Sequence, residues 1–135
     1  MAMNRIPSPV IFFLLLCVSF SAQADWTRID ANDEFTSFAN YDSIKRQGDL
    51  VKMWTMRDYK QIKKSTSGEL YQSEQAQIEA DCREEKFRLL SLTLYSAARG
   101  GGRMVQHDEK MMHVWAAPAP GTVGEKIWKI ACRKH

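Results

Sequence analysis

The stretch of sequence that decides the fold is Gln75-Ala76-Gln77-Ile78-Glu79-Ala80-Asp81-Cys82-Arg83. Small or apolar side chains occupy every second position from Ala76 to Cys82, and polar side chains occupy the positions between them. Gln, Glu and Ala are good helix formers, but at 100° per residue the four apolar positions would scatter around a helix, whereas at 180° they share one face. The pattern therefore predicts a β-strand with one solvent-exposed face, and it predicts that the Cys82 side chain points into the core.

Strand patterns continue on both sides of this stretch. Phe87 to Ala97 is rich in strand formers and is predicted to pair antiparallel with it through a tight turn. In Leu50 to Tyr59, apolar side chains fall on both faces of a third predicted strand. Shorter strands are predicted at Trp26 to Asp30, Phe35 to Ala39, Arg103 to His107 and Met111 to Ala116, the last two as a hairpin around Asp108-Glu109-Lys110.

Three segments between these strands are predicted to be irregular. Ser43 to Asp49 is predicted to form a single helical turn that Asp and Ser can cap, with Gly48 providing the turn into the next strand. Lys60 to Gly68 is polar and ends in Ser-Thr-Ser-Gly, which indicates an exposed loop. Gly100-Gly101-Gly102 does not precede a helix in a strand–helix unit, so it is predicted to be a flexible turn rather than a phosphate cradle.

A helix is predicted at the end of the chain, from about Val123 to Arg133. Thr122 is positioned to cap its first turn, and Glu125 three residues later completes a capping box. An apolar stripe recurs at helical spacing, formed by Val123, Ile127, Ile130 and Ala131. The helix therefore has one face suited to packing on the sheet.

A short apolar run at residues 10–18 follows Arg5 and precedes Ser21-Ala22-Gln23-Ala24. A basic start, an apolar middle too short to span a bilayer and small residues before a cut are typical of a secretory signal peptide. We therefore predict a signal peptide at residues 1–24 and an exported domain at residues 25–135. No second apolar run approaches membrane-spanning length, so no transmembrane segment is predicted.

The predicted export determines which of the three cysteines can form a disulfide. Cys17 lies within the predicted signal peptide, which leaves Cys82 and Cys132 as a pair in a compartment that permits disulfides. We expect a structural bond between them, because a redox site would more often show Cys-x-x-Cys. Closing a loop of about 50 residues removes unfolded-state entropy worth on the order of 4 kcal/mol. A lipid anchor on Cys17 is not expected, since the bulky Leu16 precedes it.

With Cys82 on a strand and Cys132 on the terminal helix, the bond would staple that helix onto one face of the sheet. The predicted fold class is α+β, a single antiparallel sheet with a C-terminal helix packed on one face. The 135 residues suffice for one domain and are too few for two. The formal net charge of +3 is small, and together with the predicted export it argues against a nucleic-acid partner.

With these elements placed, the chain from Trp26 to Cys132 resembles the surface-adhesin protein E family of bacterial exported proteins. The resemblance rests on the order and spacing of Trp26, Tyr41-Asp42-Ser43-Ile44, Gly48, Val51-Lys52-Met53-Trp54, Asp58-Tyr59, Asp81-Cys82-Arg83, Tyr95-Ser96, Pro120-Gly121-Thr122-Val123-Gly124-Glu125, Trp128 and Cys132. It implies a sheet of about six strands with a disulfide-tethered C-terminal helix, a tendency to dimerise, and adhesion to host matrix and serum proteins such as vitronectin and laminin. The founding adhesin is lipid-anchored, whereas no lipid anchor is expected for this chain.

No catalytic set is found in the sequence. No Gly-x-Ser-x-Gly elbow surrounds any serine, so we predict that the protein is not an enzyme. His107 and His113 have no third convergent ligand and are interpreted as surface histidines rather than a metal site. The methionines on strand patterns are interpreted as core filler rather than soft-metal ligands, and no cofactor is predicted; they are Met53, Met56, Met104, Met111 and Met112.

Lys60, Lys63 and Lys64 form a local basic patch, which Lys45 and Arg46 could extend. Two interpretations remain open for the patch: a site for acidic protein segments or sulfated glycans, and a solvated loop. Trp54 and Tyr59 in the adjoining strand have two interpretations as well, as exposed binding anchors or as side chains packed within the domain or a dimer.

Two functional hypotheses follow from these observations. The first is an exported, non-enzymatic binding protein, an adhesin that recognises extracellular-matrix or other protein ligands. The second is a periplasmic structural or accessory envelope protein that acts through a homodimer or a bacterial partner, because a lipid anchor is not expected and some strands are apolar on both faces.

Overall fold

Six antiparallel strands follow one another across a single sheet in chain order. The computed structural model describes residues 3–4, 25–109 and 113–133. Apart from residues 3–4, the predicted signal peptide lies outside the described residues, and so do Met111 and Met112. The elements are β1 (Thr27–Ala31), β2 (Phe35–Gln47), β3 (Leu50–Lys64), β4 (Leu70–Asp81), β5 (Lys86–Tyr95), β6 (Met104–Asp108) and α1 (Val123–Cys132). The predicted α+β class is confirmed.

The helical turn predicted for Ser43 to Asp49 is wrong, because β2 continues as a strand to Gln47. The register with β3 is irregular between Asn40 and Lys45, and the Ser43 side chain closes that gap. Its hydroxyl donates to the Asn40 carbonyl oxygen at 2.6 Å and accepts from the Trp54 amide at 2.8 Å. The predicted turn at Gly48 is confirmed by its left-handed φ of 62°.

The exposed loop predicted for Lys60 to Gly68 is partly wrong, since β3 continues to Lys64. Lys63 lies opposite Tyr71 and Lys64 opposite Leu70, so this polar segment is one arm of a hairpin. The turn begins at Ser65, whose amide donates to the Glu69 carbonyl oxygen at 2.8 Å. The Lys60 amide donates to the Glu34 carbonyl oxygen at 2.9 Å and Lys63 and Lys64 pair with β4, so backbone partners hold this polar segment in a strand despite its low hydrophobicity.

The strand predicted from the alternating stretch is confirmed as β4. Its inward side chains Ala76, Ile78 and Ala80 are buried. Ile78 and Ala80 join Val51 and Met53 of β3 in a core on one face of the sheet. The helix covers this core with the apolar stripe predicted from its spacing, of which Ile127, Ile130 and Ala131 are buried.

The helix begins at the predicted N-cap, but the predicted capping box is only half formed, because the Glu125 carboxylate accepts from Lys129 Nζ at 3.2 Å and the Thr122 amide donates to the Ala119 carbonyl oxygen at 3.3 Å. The Thr122 hydroxyl accepts from the Glu125 amide at 3.3 Å, as expected of an N-cap. At the other end, Cys132 is bonded to Cys82, with the two Cα atoms 5.4 Å apart and 50 residues of sequence between them. The predicted disulfide is confirmed, and it fixes the last turn of α1 to the end of β4.

A loop after β5 covers part of the opposite face of the sheet. The buried Ser73 hydroxyl of β4 donates to the Ala97 carbonyl oxygen at 2.6 Å and accepts from the Gly100 amide at 2.9 Å. Gly100 has a φ of 72°, and a Cβ there would lie 2.4 Å from the Gln75 side-chain nitrogen. The left-handed φ favours glycine at this position, and the loop is held on the sheet by Ser73, a role that the prediction of a flexible turn missed.

The hairpin predicted from Arg103 to Ala116 is wrong in its second arm. The first arm is β6, Met104–Asp108, which pairs with β5. Residues 113–115 are not in a strand, and Ala116 forms an isolated antiparallel bridge with Phe87 at the start of β5. Both backbone bonds of that bridge are 2.9 Å long, so the chain returns to β5 rather than to β6.

Candidate ligand-binding surface

The β3–β4 hairpin projects beyond its neighbours at one end of the sheet. Pairing of β2 with β3 ends at Tyr59, and pairing of β4 with β5 ends at Ser73. Residues 60–71 therefore form a protruding segment, which we call the hairpin tip. It contains all three lysines of the predicted basic patch.

The three lysines differ in their surroundings. Lys63 forms an ion pair with Glu34, and its Nζ lies 4.6 Å from the centre of the Tyr59 ring. The hydrogen bond between Lys63 and Glu34 holds the pKa of the Glu34 carboxyl below its usual range and the pKa of the Lys63 amine above its usual range. Lys60 and Lys64 are exposed. The positive charge that the tip presents to a ligand therefore comes mainly from Lys60 and Lys64.

Lys45 and Arg46 do not extend this patch. Lys45 lies opposite Lys52, near the β2–β3 turn. Lys52 and Lys60 are eight positions apart on β3, which at about 3.3 Å per residue separates them by roughly 26 Å. The two basic groups thus lie toward opposite ends of the sheet, and the extension considered from the sequence is wrong.

Two exposed apolar side chains accompany the lysines. Ile62 is 62% exposed and Leu70 is 55% exposed. Leu70 lies directly opposite Lys64, and Ile62 comes two positions before Lys64, just before regular pairing of β3 with β4 resumes at Lys63. Sequence reasoning missed both residues, because a lone Ile and a lone Leu in a polar segment show no periodicity. Only the pairing of β3 with β4 shows that they lie on the two arms of one hairpin, on either side of the Ser-Thr-Ser-Gly turn.

An aromatic cluster supports the base of the tip. Tyr59 packs edge-on against Phe35 and against Tyr71, with ring centres 6.0 and 5.8 Å apart. Burial, with a contribution from the Glu74 carboxylate, raises the pKa of the Tyr59 hydroxyl, so this side chain is neutral at physiological pH. Tyr59 therefore packs within the domain and is not an exposed anchor. Trp54 is half-buried in the middle of β3.

The remaining candidate residues are the histidines and methionines that were weighed as metal ligands. One ring nitrogen of His107 lies 2.7 Å from the Thr93 hydroxyl and the other 3.1 Å from Glu109 Oε1, while His113 contacts the Glu109 carbonyl oxygen. Within residues 3–4, 25–109 and 113–133, no three His, Cys, Asp or Glu side chains converge as metal ligands. Met53 and Met56 are core residues as predicted, whereas Met104 is exposed and is not core filler.

None of the helices in the described part of the chain has the length and apolar character needed to cross a membrane.

The comparisons with known proteins agree with this architecture. Residues 26–133 match the family described as surface-adhesin protein E. The chain belongs to the surface-adhesin protein E family. The match covers the sheet and the helix, from just before β1 to just after α1.

Solved structures of the same family share the fold. The structure of Haemophilus influenzae protein E has a TM-score of 0.60 to this chain at 12% sequence identity, over 82% of this chain and 85% of the other. A crystal structure of protein E from non-typeable Haemophilus influenzae has a TM-score of 0.53 at 11% identity, with the same coverage. At these identities the likeness establishes the fold alone. No curated protein matches the sequence.

Proposed function

We propose that this protein is an exported, non-enzymatic adhesin that binds protein ligands through the hairpin tip. In this proposal residues 1–24 are a signal peptide removed after Ala24, and residues 25–135 are the exported domain. Membership of the surface-adhesin family supports the functional class. The observation that carries the choice of surface is the pair of exposed apolar side chains, Ile62 and Leu70, next to the exposed Lys60 and Lys64.

The composition of the tip suits a protein partner. Contact energy in protein interfaces concentrates in a few well-packed side chains surrounded by contacts that exclude water, and in this proposal Ile62 and Leu70 form such a centre. Lysines around them add a long-range attraction to acidic segments, which raises the association rate more than the affinity. The cluster of Tyr59, Phe35 and Tyr71 holds the base of the hairpin, so little conformational entropy is lost when a ligand binds.

Two measurements test this function. The purified protein is tested for binding to immobilised vitronectin, laminin and bacterial envelope fractions, and intact cells that make it are probed with an external antibody. The proposal predicts binding to at least one host protein and labelling of intact cells. A flat response to both host proteins, or an epitope reached only after the outer envelope is opened, would contradict it.

A second proposal is an accessory envelope protein that acts as a homodimer inside the envelope. The observation that favours it is the short outer strand β6, which pairs with β5, has no other strand beside it among the described residues and exposes Met104. An unpaired strand edge is a template for pairing with another chain. Sedimentation of the purified protein distinguishes the two: a monomer at high concentration with no envelope partner argues against the accessory function.

A further inference from the structure

A cavity of about 190 Å³ lies on the helix side of the sheet, beyond the N-terminal end of α1. It exists because the helix is too short to cover the sheet. Ten residues of helix extend about 15 Å, whereas the fifteen residues of β3 extend about 50 Å. The disulfide fixes α1 to one end of that face, so the other end stays open.

The walls of the cavity are largely apolar. They include Ala76 and Ile78 of β4, Leu89 and Leu92 of β5, and Ile127 of the helix. Phe87 closes one side against the first turn of the helix, where a Cβ on Gly124 would lie 3.3 Å from the Phe87 ring. An apolar cavity of about 150 Å³ is large enough to hold a benzene ring, so this one accommodates a single branched or aromatic side chain.

One end of the cavity carries a pair of opposite charges. Arg57 Nη1 and Glu74 Oε1 are 3.8 Å apart, which is longer than a hydrogen bond. The Arg57 side chain is 40% exposed and that of Glu74 is 15% exposed, so ligand atoms can reach the pair from the cavity. The guanidinium is positioned over the Phe35 ring, 4.5 Å from its centre.

A buried hydroxyl group lines the same cavity. Ser37 lines it and is almost completely buried, and its hydroxyl has no hydrogen-bond partner among the described residues. Buried hydroxyls are usually hydrogen-bonded, and an unpaired one costs free energy. The apolar walls therefore carry, in addition to the charged pair, one polar atom that a ligand could satisfy.

We propose that this cavity binds a small zwitterion with one apolar chain, a free apolar α-amino acid. The apolar chain occupies the space between Ile78, Leu92 and Ile127. The carboxylate pairs with Arg57 and the ammonium with Glu74. Charge complementarity selects this class, because a simple carboxylate would also face Glu74 and a simple amine would also face Arg57.

The probes are L-leucine and L-phenylalanine, compared with 4-methylpentanoate and 3-methylbutylamine, which each carry one of the two head charges. Binding is followed by NMR of the methyl groups of the purified protein with its disulfide formed. We expect saturable shifts of the Ile78, Leu92 and Ile127 methyls with an amino acid, and at least tenfold weaker binding of each single-charge analogue. No shift at millimolar amino acid, or equal binding of the analogues, would overturn the proposal.

Variants locate the site within the same experiment. A76L fills the cavity and is expected to abolish binding, whereas A76S preserves the volume and is expected to bind. R57Q removes the cation and is expected to weaken binding at least tenfold, while R103Q removes the arginine of a comparable exposed pair, Arg103–Glu69, and is expected to have no effect. Equal affinities of R57Q and R103Q would contradict the assignment. If A76L does not fold, the methyl shifts of the unmodified protein and the R57Q comparison still decide it.

Discussion

Trp128 of α1 donates its indole N–H to the carbonyl oxygen of Asp81, at 3.2 Å. Asp81 is the last residue of β4, and the next residue, Cys82, forms the disulfide with Cys132. The helix is therefore joined to the end of β4 twice, by the hydrogen bond of Trp128 and by the covalent bond of Cys132, which lies four residues later in the helix. This double attachment sets the position of α1 along the sheet and leaves the far end of its core face open.

The disulfide is expected to contribute most of the stability that this attachment provides. Replacing both Cys82 and Cys132 by Ser should lower the free energy of unfolding by about 4 kcal/mol, because the unfolded chain regains the entropy of a 50-residue loop. Urea unfolding, with the parent protein as reference, measures the difference. Alkylation under denaturing, non-reducing conditions should modify neither residue, and full modification of both would refute the bond.

Two buried serines test the hydrogen bonds of the loop after β5. S73A removes a hydroxyl that bonds both Ala97 and Gly100, and it should destabilise the domain by about 1–3 kcal/mol because two backbone groups lose their partner. S37A is the matched control, since Ser37 is equally buried but its hydroxyl has no partner in the described chain. It should be nearly neutral or stabilising. Similar losses for the two variants, measured by urea unfolding, would contradict this account of the loop.

The Glu79–Arg88 pair on the helix-free face should behave as a coupled unit. Glu79 is 5% exposed, and Arg88 donates to its Oε1 from two nitrogens, at 3.0 and 2.6 Å. R88M leaves the carboxylate buried without this partner, at a cost of about 3 kcal/mol, and E79Q in the same chain should recover part of the loss. A double variant no more stable than R88M would show that the two residues act independently.

Salt dependence tests the role of the lysines. Neutralising Lys60, Lys63 and Lys64 together should weaken ligand binding and flatten its dependence on ionic strength, because exposed charges are screened over about 8 Å at physiological salt. K63Q alone should have the smallest effect of the three single changes, since Lys63 is paired with Glu34. The control is K45Q/R46Q near the opposite end of the sheet. An unchanged salt slope in the triple variant would mark the lysines as solvated side chains without a binding role.

The alternation of apolar and polar residues was enough to predict β4 and the inward direction of Cys82. The helical spacing of apolar residues was enough to predict the buried face of α1. The sequence pattern failed for Ser43 and for Lys60 to Lys64, where local polarity favours a turn or a loop. These residues lie in strands because of partners on the neighbouring strand of a hairpin, Trp54 for Ser43 and Leu70 for Lys64. The lysines of the hairpin tip were found from sequence, but Ile62 and Leu70 were not, since only the pairing of β3 with β4 brings the two segments together at the tip.

The most direct test of the hairpin tip as the binding surface is the affinity of I62S/L70S for immobilised vitronectin and laminin, measured by surface plasmon resonance. The control is M104S/V114S, which replaces two apolar residues of similar exposure outside the tip, 58% and 65%. We predict that I62S/L70S binds at least about tenfold more weakly than the parent protein, as expected for the loss of apolar hot-spot contacts, and that the control binds as the parent does. Equal affinity of I62S/L70S and the parent protein, or an equal loss in the control, would contradict the assignment of the ligand-binding surface to the hairpin tip.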